Sequence, residues 1–214
     1  MLSLLLALSL PTLAADGQSG LLAPGAEPMQ AGQASVGAGG AAGLLIFSGP
    51  AGLGLVEGSV ALHDRVAMGG ALLGGLAVDV GAGGLLWARG SLVEHDAFRL
   101  APYAFGGAVT TEGLGGGVGL AMEGGFPRVR LDVSAPLVLV RHRPQVEQER
   151  TEVDWLPLYG EAGVSLLIGE ERRHRLRAGV PMLTWRYQGE TFYVEGGVTA
   201  ALWVGGIVRG GARF

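Results

Sequence analysis

The chain has 214 residues, a formal net charge of −4, 40 glycines, no cysteine and only 16% charged residues. This length fits one domain, the near-balanced charge gives no sign of a nucleic-acid partner, and the lack of cysteine excludes disulfides and thiolate metal sites. Glycine-rich chains can be disordered, but a hydrophobic fraction of 49% contradicts disorder, which requires low hydrophobicity.

The first segment of the chain is almost entirely apolar. The run "MLSLLLALSLPTLAA" (1–15) ends in small residues and is too short to span a bilayer as a helix. It has the apolar core and cleavage site of a secretory signal peptide, although no Lys or Arg precedes that core. We therefore predict a signal peptide at residues 1–15 in preference to a buried N-terminal helix. Residues 16–30 hold Gly, Pro and Ser without periodicity and are predicted to be a linker, which leaves 31–214 as one β-domain.

Beyond the linker, short segments alternate between apolar and polar residues. Such alternation is typical of strands that present one apolar face and one polar face. Clusters of Gly, Pro and charged residues between the segments are turn signals. We predict an antiparallel meander that includes the segments 56–62, 86–93, 126–143, 158–166, 175–180 and 192–202.

One polar stretch interrupts this series. "RHRPQVEQERTEVD" (141–154) is more charged than any other part of the chain. We predict that it forms a long hydrophilic loop.

Two glycine-rich stretches admit a helical interpretation. Residues 66–88 carry a single charge, Asp79, and contain Gly70-x-x-x-Gly74, a spacing typical of packed transmembrane helices. Residues 101–121 are a weaker case of the same kind. Each glycine costs about 1 kcal/mol in a helix interior, so both stretches are predicted to be strand hairpins.

The two faces of the strands decide between a soluble and a membrane barrel. A soluble barrel would turn its apolar face inward and expose a face rich in polar residues to water. Here the apolar face is nearly free of polar residues, and the other face mixes Gly, Ala and Ser with charges of both signs, which could neutralise one another inside a lumen. We predict an all-β protein, an antiparallel up-and-down transmembrane barrel of about ten strands, with eight or twelve as the alternatives. The predicted lumen charge network comprises Glu57, Arg89, Glu123, Arg128, Arg130, Asp132, Glu161, Arg175, Arg177, Glu195, Arg209 and Arg213.

The last residues sharpen this prediction. "WVGGIVRGGARF" alternates Val208, Gly210, Ala212 and the final Phe214 with more polar positions. It resembles the terminal strand of Gram-negative outer-membrane β-barrel proteins, in which a C-terminal aromatic residue is the signal read by the barrel-assembly machinery. Ala212 and Gly210 are smaller than the usual residues, so the match is partial. The resemblance implies a location in the cell outer membrane, with membrane lipid and, during insertion, the assembly machinery as partners; it leaves the oligomeric state open.

No catalytic, cofactor or metal site is predicted. The four histidines lie beside charges at expected turns, and a metal site would need several of them to converge. A hydrolase site would need a Ser, a His and an acid near one rim, but the loop that holds His142 and Glu147 contains no Ser. The histidines are His63, His95, His142 and His174.

Aromatic residues near strand ends have two interpretations. Residues such as Trp87, Tyr103, Trp185 and Tyr193 could form the girdles that mark the membrane interfaces, or they could be ordinary core residues. The sequence leaves this choice open.

The function predicted from these patterns is a structural role or a narrow passive pore. Few strands give a lumen filled by side chains, through which solute flux is small. The alternatives are an adhesion or recognition barrel that uses loop 141–154, and a lipid- or peptide-hydrolysing membrane enzyme on a similar barrel.

Overall fold

The structure, a computed structural model, describes residues 30–45, 49–76, 80–95, 97–109, 113–143, 150–154, 161–180, 182–200 and 203–214. These residues form one antiparallel sheet of 14 strands. The signal peptide and almost all of the linker lie outside the described residues, so both stay predictions. The strands are β1 (Ala34–Leu45), β2 (Gly49–His63), β3 (Val66–Leu76), β4 (Val80–Gly90), β5 (Val93–His95), β6 (Phe98–Val109), β7 (Gly113–Gly125), β8 (Val129–Arg143), β9 (Arg150–Asp154), β10 (Glu161–Ile168), β11 (His174–Val180), β12 (Met182–Gln188), β13 (Phe192–Ala200) and β14 (Trp203–Arg213).

The sheet closes into a barrel of 12 strands. Strand β14 pairs with β1, and β10 pairs with the first part of β8, which joins the two ends of the sheet. Strands β5 and β9 stay outside the ring, because in the described part of the chain β5 pairs with β6 alone and β9 pairs with the last part of β8 alone. The all-β antiparallel prediction is confirmed. The expected number of about ten strands is too low, and its alternative of twelve is correct.

The helical interpretation of the glycine-rich stretches is wrong. Residues 66–76 and 80–90 are the paired strands β3 and β4, and residues 101–109 and 113–121 belong to the paired strands β6 and β7. The strand hairpins predicted for these stretches are confirmed, although the segments 77–79 and 110–112 between the strands contain neither Gly nor Pro to mark a turn. Among the described residues, no helix is long and apolar enough to cross a membrane.

The two ends of the barrel differ. We call the end at which β1 begins and β14 finishes the near end; the short turns at 64–65, 126–128 and 169–173 lie there. The opposite, far end carries the connection between β8 and β10. Much of the expected loop 141–154 is not a loop: β8 runs to Arg143 and pairs with β9 as a hairpin. Residues 144–149 lie outside the described part of the chain.

The apolar face of the strands points outward and the polar face inward. On β8, Leu131 is 57% exposed, whereas its neighbours Arg130 and Asp132 are buried. On β3 and β4, Leu72 and Leu86 are 70% and 72% exposed. A soluble barrel would have the reverse arrangement, since it buries apolar side chains against one another.

Large side chains occupy part of the interior of the barrel. Eight strands already give an interior just wide enough for side chains to fill, and the width grows with strand number. In this ring of twelve strands, inward side chains such as Trp87, which is 5% exposed, fill part of the wider interior. A cavity of about 1150 Å³ is lined by residues of β2–β4 and β6–β8, among them the outward Gly70, Leu86 and Val118.

Candidate functional site

The structure places most of the predicted lumen residues together inside the near-end half of the barrel. Glu57, Arg89, Glu123, Arg130, Asp132, Arg177, Glu195 and Arg209 are buried on inward faces, and Arg175 and Arg213 are half-buried. Arg128 does not belong to this group, because it lies exposed in the turn between β7 and β8. The side chain of Glu161 lies outside what the structure describes.

Asp132 on β8 is the centre of the first ion-pair group. Arg177 on β11 reaches across β10 and donates from Nε and Nη2 to the carboxylate, with Nη2 2.5 Å from Oδ2. The guanidinium passes directly over Gly163, where a side chain would collide with it. Arg175 contributes a second, longer contact of 3.9 Å. Ser165, which is fully buried, accepts a hydrogen bond from Arg175 Nε and donates one to Asp132.

Glu195 on β13 is the centre of the second group. Arg209 on β14 donates to Glu195 Oε2 from Nε at 2.9 Å and from Nη2 at 2.6 Å. On the other side, Arg186 of β12 places Nη1 4.0 Å from the same oxygen. The three residues are direct partners in strand register, so their side chains meet on one face of three adjacent strands.

A third group surrounds Glu123 on β7. Arg99 on β6 and Arg130 on β8 approach Glu123 Oε1 at 3.6 Å and 3.8 Å. Arg99 and Glu123 are partners in register, and Glu123 is also the partner of Asp132. The third group therefore adjoins the first.

Tyr193 on β13 connects the second group with β2. Its hydroxyl donates to Glu57 Oε1 at 2.6 Å, across strands β14 and β1. The ring crosses Gly211 and Gly37, which have no side chain to block it, and the Arg186 guanidinium stacks over it at 4.4 Å from the ring centroid. Because Tyr193 is 1% exposed, this part of the lumen is filled.

Together these groups form a belt of charged side chains that follows the inner wall. We call it the arginine belt; its members are Glu57, Arg89, Arg99, Glu123, Arg130, Asp132, Arg175, Arg177, Arg186, Glu195, Arg209 and Arg213. Guanidinium–carboxylate hydrogen bonds are among the strongest in proteins, and they hold the buried side chains of the belt together.

Sequence reasoning missed Arg186, Arg99, Tyr193 and Ser165 as members or partners of the belt. The signal for Arg186 was available: in "MLTWRYQ" (182–188), Thr184 and Arg186 alternate with Leu183 and Trp185. Arg99 has the same parity as the inward Ala101 and is found in the same way. The aromatic residues divide between the two interpretations, since Trp87, Tyr103 and Tyr193 are buried inside, whereas Trp185 is exposed outside.

The described histidines have local roles at the near end. His63 and His95 each accept a hydrogen bond from a nearby backbone N–H through Nδ1, at 3.3 Å and 3.2 Å. His174 stacks on Trp185 with 5.7 Å between ring centroids. In the described part of the chain, no three His, Cys, Asp or Glu side chains are grouped so as to hold a metal ion.

Comparison with known proteins gives the fold a context. No family model matches the chain, and no curated protein matches it. Among solved structures, the KdgM porin is 9% identical over 84% of this chain and 98% of its own, with a TM-score of 0.50. The β-domain of the Bordetella autotransporter BrkA is 13% identical over 86% of this chain and 99% of its own, also with a TM-score of 0.50. The chain therefore has the fold of outer-membrane β-barrels.

Proposed function

We propose that this protein is an outer-membrane β-barrel with a narrow lumen that passes small ions and excludes larger solutes. The observation that carries the proposal is the pairing of a closed apolar outer wall with a charged interior. Exposed Leu72 and Leu86 stand on the outside, while Glu195 and Arg209 are buried inside. Only a closed barrel of strands satisfies every backbone group in a bilayer without helices, and lipid is the solvent that suits such an outer wall.

The narrowness of the lumen follows from the burial of its side chains. Glu57, Arg177 and Tyr193 are each at most 3% exposed, so a molecule of the size of water hardly reaches them. Solutes would need these side chains to move. This supports low conductance, with the barrel itself as a stable membrane-spanning wall.

Conductance of the refolded protein in planar bilayers tests the proposal. We expect small unitary conductance for the wild type and a several-fold larger one for Trp87→Ala, because the indole is buried in the lumen. Trp185→Ala is the matched control, since Trp185 is exposed on the outer wall, and it should conduct like the wild type. A shift in gel mobility on heating establishes that each variant is folded before it is measured. Refolding in buffer without detergent, or large wild-type conductance, would contradict the proposal.

The adhesion alternative stays a prediction. The hairpin of β8 and β9 extends at the far end, where the polar residues of 141–154 are concentrated. A binding partner for that hairpin would leave the conductance of the barrel unchanged, so the two roles are compatible and separately measurable.

A further inference from the structure

Three carboxylates of the arginine belt share one arrangement, in which two arginines contact a single acid. Counted over the residues that the structure describes, each group has two arginines for one acid, an excess of one positive charge. The two guanidinium groups of each set repel each other. The carboxylate that they share holds both in place. The groups are Arg175–Asp132–Arg177, Arg186–Glu195–Arg209 and Arg99–Glu123–Arg130.

The remaining members of the belt do not cancel this excess. Arg89 and Arg213 add two positive charges, and Glu57 subtracts one. Among the inward side chains that the structure describes, the belt thus holds eight arginines and four carboxylates, which leaves an excess of four positive charges. The whole chain, by contrast, has a net charge of −4. Positive charge therefore predominates among the inward side chains that the structure describes.

The surroundings of the belt strengthen its field. A low-dielectric wall focuses the potential of charges that line a narrow passage and raises the local concentration of the opposite ion. Burial limits screening, which for exposed charges acts within about 10 Å at 0.1 M salt. Guanidinium groups also bind oxyanions through paired N–H donors.

We propose that the arginine belt is an anion site, at which the lumen holds or passes small inorganic anions in preference to cations. The inference rests on the proposed function for the passage of ions, but anion binding at the belt requires only the charges described above. Small inorganic anions would then be the class of solute that the barrel takes, a class that the fold alone does not determine.

Reversal potentials across a KCl gradient test the selectivity. For the wild type we expect a chloride-to-potassium permeability ratio on the order of ten. Arg186→Gln should lower that ratio several-fold, because it removes one excess charge while Glu195 keeps its closer partner Arg209. Arg128→Gln is the matched control: it removes the same charge from an exposed turn at the same end and should leave the ratio unchanged. A ratio near or below one for the wild type overturns the anion site while the pore proposal stands.

A second measurement covers the case in which no conductance is found and the pore proposal fails. Inorganic phosphate should raise the Tm of the detergent-refolded protein above its value in chloride at equal ionic strength, because a ligand stabilises the folded state that binds it. The rise should be smaller for Arg186→Gln and unchanged for Arg128→Gln. Equal responses of the three proteins, or no phosphate effect on the wild type, overturn the inference.

Discussion

Glycine makes room for the large side chains that fill the barrel. The indole of Trp87 lies against Gly69 on the neighbouring strand, where an added Cβ would stand 2.5 Å from Cζ2 and 2.6 Å from the carbonyl oxygen of Gly58. Gly69→Ala should therefore lower the free energy of unfolding by about 1–3 kcal/mol. Gly74→Ala, on the same strand with nothing within 4 Å of the new Cβ, should be neutral or stabilising by up to about 1 kcal/mol. Urea unfolding in liposomes measures both, and equal effects would contradict this packing.

Single carboxylates hold the arginine belt together. Asp132→Asn would leave Arg175 and Arg177 without their shared negative charge in a buried environment. Breaking a buried ion pair in this way typically costs about 3–5 kcal/mol, and we expect a loss of stability in that range. Glu170→Gln, in the exposed turn between β10 and β11, should change stability by no more than about 0.5 kcal/mol. The same urea titration compares the two variants; a near-zero effect at Asp132 would mean that the acid does not anchor its arginines.

Strands should differ in sensitivity along their length, because the cost of a charge on the outer wall depends on its depth in the bilayer. Leu72 lies near the middle of β3, whereas Leu131 lies two residues from the start of β8 at the near end. Leu72→Arg should therefore cost about 2–4 kcal/mol and Leu131→Arg only about 0–1 kcal/mol. Unfolding in liposomes distinguishes them. Equal costs at the two depths would argue against a membrane around the barrel.

Alternation in the sequence predicts which residues of a strand point outward. It does not predict where a bulge reverses that alternation. On the first part of β8 the odd residues point outward, as the alternation of Val129 to Val133 indicates. A bulge where β8 meets Val118 and Gly119 of β7 then shifts the phase, so that both Leu137 and Val140 are exposed. Bulges depend on the register of the partner strand, which a single sequence does not contain.

The sequence also could not predict which charged side chains pair with each other inside the lumen. Alternation placed Asp132, Arg177 and Glu195 on inward faces, but it could not say which arginine meets which acid. Arg177 and Asp132 are 45 residues apart, and Tyr193 and Glu57 are 136 residues apart. Such contacts depend on strand order and on closure of the ring. The glycines at 37, 163 and 211 let side chains cross a strand. This role can be recognised only when the closure of the ring is known.

In the whole molecule, the number of strands in the ring determines at which end of the barrel each strand begins and finishes. An even number of strands in the ring brings the start of β1 and the end of β14 to the same end, where Ser35 and Arg213 are partners in register. The hairpin of β8 and β9 then extends from the opposite end. Outer-membrane barrels carry short turns on the periplasmic side and longer loops outside. The near end should therefore face the periplasm and the hairpin the exterior.

Cysteine labelling can determine this orientation, since the chain has no cysteine of its own. Glu147→Cys introduces a thiol between β8 and β9, and Glu170→Cys introduces one in the near-end turn between β10 and β11. A maleimide that does not cross membranes should label only the first variant in intact cells, because the outer membrane shields the near end. Both variants should react once the membrane is permeabilised, which establishes that the thiol at position 170 is reactive. Labelling of position 170 alone in intact cells would mean that the barrel is inserted the other way round, with the near end outside.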